Sequence, residues 1–241
     1  TFSQNRRRRL EGTGIEQLIF DRIVEQAMEH GLIGGQALYT DSTHLKANAN
    51  KNRHSTHEVA LTPMAYLDEL NAAIEADRQA QGKGCLKPAS AAPQLKPTKI
   101  STTDPDAGYM KREQKPEGFF YLDHRTVDGQ HGLITDSHVT PGNIHDARPY
   151  LERLDRQCQR FGLAPWAVGL DAGYNTAAVC HGLVERQIQG VVGYKRPHAP
   201  PGQFKPRQFL YDPQHDVYRC PGGEALPYAT TTRNGYREYK S

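Results

Sequence analysis

The sequence predicts an α/β protein in which a mixed β-sheet is flanked by helices and is interrupted by a polar insertion after the first strand. A short apolar stretch at residues 36–43 precedes a long polar segment. Two alternating stretches, 119–127 and 132–139, then flank Asp128-Gly129-Gln130, which is a hairpin signal. The remaining chain alternates helix, strand, helix and strand, which predicts that part of the sheet is parallel and joined by right-handed crossovers.

The N-terminal unit, residues 1–35, combines a basic segment with a helix. Ile15, Leu18, Ile19 and Ile23 recur on one helical face, and Gly31 is placed to end the helix. A second helix is predicted from about Pro63. Residues 79–118 mix five prolines with Lys, Ala, Gln and Ser, so we expect a mobile insertion that buries too little surface to offset its ordering entropy.

The predicted catalytic core, residues 36–196, continues after this insertion. A helix with Leu151, Leu154, Cys158 and Phe161 on one face is followed by Gly162. A buried strand at 166–170, a short helix and a strand at 190–194 complete the core. Residues 197–241 are rich in Pro and Gly and contain a small hairpin pattern.

Composition limits the class of protein. The 241 residues carry a formal charge of +3 and are 37% hydrophobic, with no apolar run near the roughly 20 residues that cross a bilayer. Four cysteines without CxxC spacing predict no disulfide framework, so a reducing cytoplasm is the expected location. The charge permits nucleic-acid binding without proving it. Because the sequence starts without Met or a signal-peptide core, we expect a fragment or a processed chain.

Two aspartates occupy matching places in this pattern. Asp41 ends the first strand and Asp171 ends the strand at 166–170. If the strands are neighbours, both carboxylates reach one crevice, because ligands collect beyond the carboxyl ends of strands in open sheets. A divalent cation would relieve their mutual repulsion, and oxygen ligands suit Mg²⁺ or Mn²⁺. Such a site supports in-line phosphoryl transfer.

A plainer interpretation stays open on spacing alone, and spacing alone favours it. Asp41 would form an Asx-turn, and Asp171 would cap the helix that follows near Thr176.

The residues around Asp41 change this balance. The segment DSTHLKANANK (41–51) resembles the first-aspartate motif of bacterial insertion-sequence transposases with a DDE active site, in the IS1182-type branch of the IS4/IS5 assemblage. Further similar segments follow in order along most of the chain, namely FSQNRRRR (2–9), DPDAG (104–108), His124 and Asp128, TPGN (140–143) with His145-Asp146, and DAGY (171–174).

The resemblance implies a ribonuclease-H-like fold and two-metal cleavage of DNA ends, followed by strand transfer. Asp41 and Asp171 would be the first two metal-binding and catalytic acids, with Mg²⁺ or Mn²⁺ as cofactor. Transposon-end and target DNA would be the partners of a bacterial, nucleoid-associated protein, which could form a homodimer on DNA. The family's third acid is a glutamate on a helix after a variable insert.

That third acid has no candidate here. Asp212, Asp216, Glu224 and Glu238 follow the last core strand, and none lies in a convincing amphipathic pattern. The resemblance therefore implies that residues 197–241 begin a truncated Cys-containing insert and that the glutamate lies beyond Ser241. Two alternatives stay open: an inactive DNA-binding remnant of a transposase, and a nuclease on the same fold.

Basic residues near the chain start and just after Asp41 are candidate phosphate contacts. Equally, they are ordinary solvated charges. The candidates are Arg6, Arg7, Arg8, Arg9, Lys46, Lys51 and Arg53.

Overall fold

The computed structural model describes residues 4, 8–60, 66–87, 95–111, 116–194 and 201–241. Its helices include α1 (Ile15–Glu29), α2 (Tyr66–Ala80), α3 (Tyr150–Phe161) and α4 (Ala177–Glu185). The strands of the first half are β1 (Ala37–Lys46), β2 (His54–Ala60), β3 (Leu95–Ser101), β4 (Gly108–Met110), β5 (Gly118–Asp128) and β6 (Ile134–Pro141). Those of the second half are β7 (Ala167–Leu170), β8 (Gln189–Val192), β9 (Leu210–Asp212), β10 (Val217–Arg219), β11 (Ala225–Thr231) and β12 (Arg237–Tyr239).

A mixed sheet forms the centre of the molecule. β1 pairs antiparallel with β5 and parallel with β7, and β8 continues the parallel side. The other edge of β5 pairs antiparallel with β6 and, at its start, with β4. The order β6-β5-β1-β7-β8, with β5 reversed, is the ribonuclease-H-like arrangement, so the predicted fold class is confirmed.

Helices α3 and α4 cover one face of this sheet. Leu38, Val168 and Leu170 point from the strands into a core that includes Leu154 and Leu183 from the helices. As expected, α3 ends at Gly162, whose φ of 63° suits a residue without a Cβ. Within the described part of the chain, no helix is long and apolar enough to cross a membrane.

A buried ion pair ties α3 to the β5–β6 hairpin. The side chain of Arg153 is 2% exposed and donates to Asp136 of β6, with its Nη2 2.6 Å from Oδ2. Its guanidinium also reaches the carbonyl of His124 at 3.4 Å. Because removing one partner of a buried pair leaves an uncompensated charge, this contact specifies how α3 docks.

Helix α1 forms as predicted, but the apolar stripe that predicted it does not pack against the protein. Leu18 is 65% exposed, and Ile19 and Ile23 are exposed as well. The opposite face packs instead, where Val24 contacts the cluster of Phe161 and Leu163. Tertiary contacts with Phe161 and Leu163 therefore determine which face of α1 is buried. The periodicity of the sequence alone does not decide this.

The expected insertion at 79–118 is wrong in part. It contains β3, which pairs with β2 as a separate two-stranded sheet, and β4, which joins the central sheet. Composition missed both strands because a strand that pairs at an edge or in a ribbon needs few apolar residues. The residues described within this stretch therefore include regular structure.

Residues 210–239 form a four-stranded antiparallel sheet in the order β12-β11-β10-β9, larger than the small hairpin that we expected. Tyr239 packs against Tyr218 with ring centroids 4.9 Å apart. Asp77 of α2 forms an ion pair with Arg237 and accepts a hydrogen bond from the Thr231 hydroxyl at 2.6 Å. These contacts hold the small sheet against α2.

Candidate active site

A groove of about 540 Å³ opens on the face of the central sheet opposite α3 and α4. Side chains alternate along a strand, so odd-numbered residues of β1 and β5 share this face. Tyr39 and Val191 are 53% and 65% exposed, so the groove is open to solvent. We name it the carboxylate groove; its lining includes Tyr39, Asp41, Asp123, Arg125, Asp171 and Val191.

The structure brings Asp41 and Asp171 to this groove. β1 and β7 run parallel, and their last registered pair is Thr40 with Leu170. Each aspartate is the next residue after that pair, on strands that neighbour each other at about 4.8 Å. The two carboxylates therefore leave the sheet at the same level. Their assignment as catalytic and metal-binding residues stays a prediction.

Local hydrogen bonds orient one oxygen of each carboxylate. Asp41 Oδ1 accepts from the backbone N–H of Ser42 at 2.7 Å, and Asp171 Oδ1 accepts from that of Gly173 at 2.8 Å. Asp171 thus caps the short 3₁₀ turn of residues 172–174, close to the capping role that spacing alone allowed. In the described part of the chain, the second oxygen of each carboxylate accepts no hydrogen bond. Two exposed carboxylates with free oxygens fit a hydrated Mg²⁺ or Mn²⁺.

Asp123 and Arg125 are site residues that sequence reasoning missed. Asp123 lines the carboxylate groove. Its side chain is 7% exposed and accepts from Arg125 Nε at 2.9 Å and Nη2 at 2.7 Å. Arg125 is the register partner of Asp41 on the antiparallel β1–β5 pair. The alternation of side chains along a strand would have identified both residues if the β1–β5 register had been known.

A side chain at residue 173 would crowd the carboxylates of Asp171 and Asp146. A Cβ on Gly173 would lie 3.0 Å from Asp171 Oδ1 and 3.4 Å from Asp146 Oδ2. Asp146 Oδ1 is buried and has no hydrogen-bond partner among the residues that the structure describes. Burial, together with the charges of Asp146 and Asp171, raises the pKa of the Tyr174 phenol. The close approach to Gly173 therefore limits where the Asp171 carboxylate can lie, and the neighbouring phenol of Tyr174 is neutral.

The histidines spaced seven residues apart do not form a site. His124 and His138 are register partners on β5 and β6, with ring centroids 6.2 Å apart, whereas His131 lies in the turn. His124 is fully buried, with Nε2 2.8 Å from Thr140 Oγ1. Burial and the positive charge of Arg153 lower the pKa of His124 to about 4. A buried neutral imidazole fits a structural role for His124.

The predicted DNA contacts fall in two places. Arg8 and Arg9 are exposed near the chain start, and Arg6 and Arg7 lie outside the described residues. Lys46 ends β1, and Lys51 and Arg53 follow in the exposed loop before β2. All three follow Asp41 in the chain and lie outside the lining of the carboxylate groove.

The four late acids lie in or beside the small C-terminal sheet. Asp216 accepts hydrogen bonds from Tyr211 and Tyr239, and Asp212 pairs with His215. Glu238 lies on a strand, next to Lys240. Within the described ranges, no group of three or more His, Cys, Asp or Glu side chains is arranged to hold a metal ion.

No family model and no curated protein sequence matches this chain. Two solved structures that match are described as "Crystal structure of the Mos1 mariner paired end complex with Mn" and "Mos1 transposase paired-end complex with left transposon end". The first has a TM-score of 0.30 and 11% identity over 75% of this chain; the second has 0.31 and 12% over 71%. This chain covers 40% and 39% of those two chains. Similarity this low carries no functional argument, so function must be inferred from the carboxylate groove itself.

Proposed function

We propose that this chain is the catalytic-core segment of a bacterial insertion-sequence DDE transposase, of the IS1182-type branch of the IS4/IS5 assemblage. Its substrates would be transposon-end and target DNA. The observation that carries the proposal is the position of Asp41 and Asp171, one residue beyond the last pair of the parallel β1–β7 ladder. The sequence resemblance around both aspartates supports the same conclusion.

The residues of the groove suit a phosphodiester substrate. Asp41 and Asp171 offer hard oxygen ligands from two adjacent strands. Mg²⁺ or Mn²⁺ bound there would stabilise the attacking and leaving oxygens of an in-line displacement. Arg125, whose side chain is 58% exposed, presents a guanidinium across from Asp41 for a phosphate oxygen.

Metal binding by the purified chain tests the two-aspartate site directly. We expect Asp41→Asn and Asp171→Asn each to weaken Mn²⁺ binding at least about tenfold in calorimetric titration, because each removes a ligand charge. Glu224→Gln, which changes an exposed acid of the small sheet, is the matched control and should bind Mn²⁺ like the parent. Equal binding by all four proteins would refute the site.

Product analysis separates strand transfer from simple cleavage. Since no third acid is arranged with the two aspartates to hold a metal ion among the described residues, we expect the 241-residue chain alone to show little cleavage and little strand transfer. Robust Mg²⁺-dependent cleavage by this chain would contradict that expectation. Cut but never joined ends would instead indicate a nuclease on the same fold.

A second candidate is a DNA-binding remnant of a transposase without chemistry. The specific observation in its favour is that Arg125 neutralises Asp123, which leaves two uncompensated acids in the groove. Such a remnant would bind duplex DNA with the same affinity in the presence and absence of Mn²⁺. Asp41→Ala would change neither of these two affinities. A transposase core should bind DNA more tightly when the metal is added.

Location and assembly belong to the same proposal. We place the protein in the bacterial cytoplasm, associated with the nucleoid, and we propose a homodimer in the DNA complex. Light scattering of the complex with transposon-end DNA should then give two chains for each pair of ends. A complex with the mass of a single chain bound to a single DNA end at saturation would rule out the dimer.

A further inference from the structure

A two-stranded ribbon projects from the central sheet without covering it. β2 and β3 pair antiparallel from His54–Ser101 to Ala60–Leu95 and form a sheet of their own. The backbone N–H of Thr102 donates to the Arg53 carbonyl at 3.2 Å and closes its base. We name β2 and β3 the basic ribbon.

The basic ribbon buries little of its own surface. Residues 55–59 of β2 are exposed, as are Lys96 and Pro97 of β3. A ribbon of two strands is only marginally stable in water unless it packs against something. A contribution to the hydrophobic core therefore does not explain the seven residue pairs of the ribbon. The role that remains for them is to form an interaction surface.

The charges on and beside the basic ribbon are mostly positive. Folding places Lys96 and Lys99 of β3 on the same projection as Lys51 and Arg53, which precede β2. Glu58 is the acid within the two strands. Lys99 Nζ lies 4.2 Å from the centre of the Tyr109 ring, which anchors that ammonium at the base.

The pKa of a nearby carboxylate, that of Glu117, reflects these positive charges. Glu117 accepts a hydrogen bond from the Tyr109 hydroxyl at 2.5 Å. That hydrogen bond, followed by the charges of Lys111, Lys51 and Lys99, lowers the pKa of Glu117. Three lysines thus surround one acid, and the surface keeps a positive excess.

We propose that the basic ribbon is a duplex-DNA contact, in which Lys96 and Lys99 bind phosphates beside a groove of the double helix. A B-DNA major groove about 12 Å wide admits a two-stranded β-ribbon, and the exposed Lys96 and the half-buried Lys99 match the phosphate charges that line it. The exposed hydroxyls and imidazole of Ser55, Thr56 and His57 add hydrogen-bonding groups that suit phosphates or base edges. This inference rests on the proposed function, because DNA is the partner that it names.

The same strand links the basic ribbon to the carboxylate groove. Lys46 lies five residues past Asp41 on β1, which is about 17 Å at 3.4 Å per residue. DNA rises about 3.4 Å per base pair, so a duplex that follows this surface reaches Lys46, before the loop that leads to the ribbon, about five base pairs from Asp41. The ribbon would hold the duplex flank while the carboxylates face the reacting phosphate.

Fluorescence anisotropy with a labelled duplex of mixed sequence, about 30 base pairs long, tests the ribbon without metal or chemistry. We expect Lys96→Ala/Lys99→Ala to weaken binding about tenfold and to lower the salt slope by about 2, one counterion for each lost phosphate contact. Lys83→Ala/Lys87→Ala, which changes two exposed lysines after α2, is the matched control and should bind like the parent. Lys96→Arg/Lys99→Arg should restore binding.

The outcomes separate the ribbon from the groove. In EDTA, Lys83→Ala/Lys87→Ala should bind the duplex as tightly as the parent, whereas the ribbon variant should not; this result supports the ribbon even if metal titration refutes the two-aspartate site. The ribbon proposal fails if the ribbon and control variants bind the duplex equally. It also fails if the ribbon variant, with an unchanged melting temperature, loses affinity only for anionic phosphatidylglycerol vesicles.

Discussion

Asp41 and Arg125 are register partners on the antiparallel strands β1 and β5, and both side chains face the carboxylate groove. Arg125 is at the same time bonded to Asp123, two residues earlier on its own strand. One guanidinium therefore neutralises a buried acid and leaves Asp41 free. Of the three carboxylates in the groove, Asp123 is thus ion-paired, whereas Asp41 and Asp171 stay available for a metal ion. This difference defines which chemistry the groove can support.

Removal of Arg125 should expose the cost of the buried Asp123 carboxylate. We expect Arg125→Ala to lower the free energy of unfolding by about 1–3 kcal/mol, because Asp123 loses its charged donors. Adding Asp123→Asn should recover most of that loss. Urea denaturation of the four proteins of this double-mutant cycle gives the coupling energy.

An exposed pair provides the control for that cycle. Arg22 and Glu25 on α1 are both more than half exposed, so Arg22→Ala should hardly change the free energy of unfolding. A coupling energy near zero between Arg125 and Asp123 would show that the groove pair is as weak as this one.

Gly173→Ala should disturb the metal site without unfolding the protein. The new methyl group would press on the carboxylates of Asp171 and Asp146, which lie 3.0 and 3.4 Å from its position. We expect Mn²⁺ affinity to fall about tenfold, as when residues that orient a ligand are changed. Gly84→Ala, which meets no atom within 4 Å, should leave both affinity and melting temperature unchanged.

Stability should fall in mild acid because of His124. Burial and Arg153 lower its pKa to about 4, from 6.5 in the unfolded chain, so the unfolded state binds the proton first. The free energy of unfolding is therefore complete above about pH 6.5 and decreases towards pH 4, by up to about 3 kcal/mol. Urea denaturation at pH 7 and pH 5 measures the slope.

Replacing His124 should remove most of that slope. His124→Gln should show a smaller difference between pH 7 and pH 5, whereas His131→Gln, in the exposed turn, should keep the parent's difference. The same slope in both variants would assign the acid sensitivity to other groups, such as His138, whose pKa burial also lowers.

Asp77 should control the attachment of the small C-terminal sheet. Its ion pair with Arg237 lowers the pKa of Asp77, so the contact is intact at neutral pH. Asp77→Ala removes the partners of Arg237 and Thr231 and should speed proteolysis between residues 210 and 239 several-fold, through local opening. Asp155→Ala, which breaks the α3–α4 surface pair with Arg186, should leave those cleavages unchanged.

Local patterns predicted much of the central sheet. The alternating stretches around Asp128 became β5 and β6, and the run that precedes Asp171 became β7. Strand alternation and turn residues are local properties, so the sequence alone was enough for these elements. Ribbon strand β3 escaped detection because few of its residues are apolar.

The sequence by itself determined most strands of the central sheet, the glycine stop after α3 and the aspartate that follows β7, whereas β1 runs on past Asp41 to Lys46. Only the tertiary structure decided which residues meet: Arg125 across from Asp41, Asp146 beside Gly173, and Lys96 and Lys99 on a ribbon with the strand that follows Lys51. It also decided which face of α1 packs. The reason is that register and docking depend on pairings between distant segments, whose energies no local stretch of sequence contains.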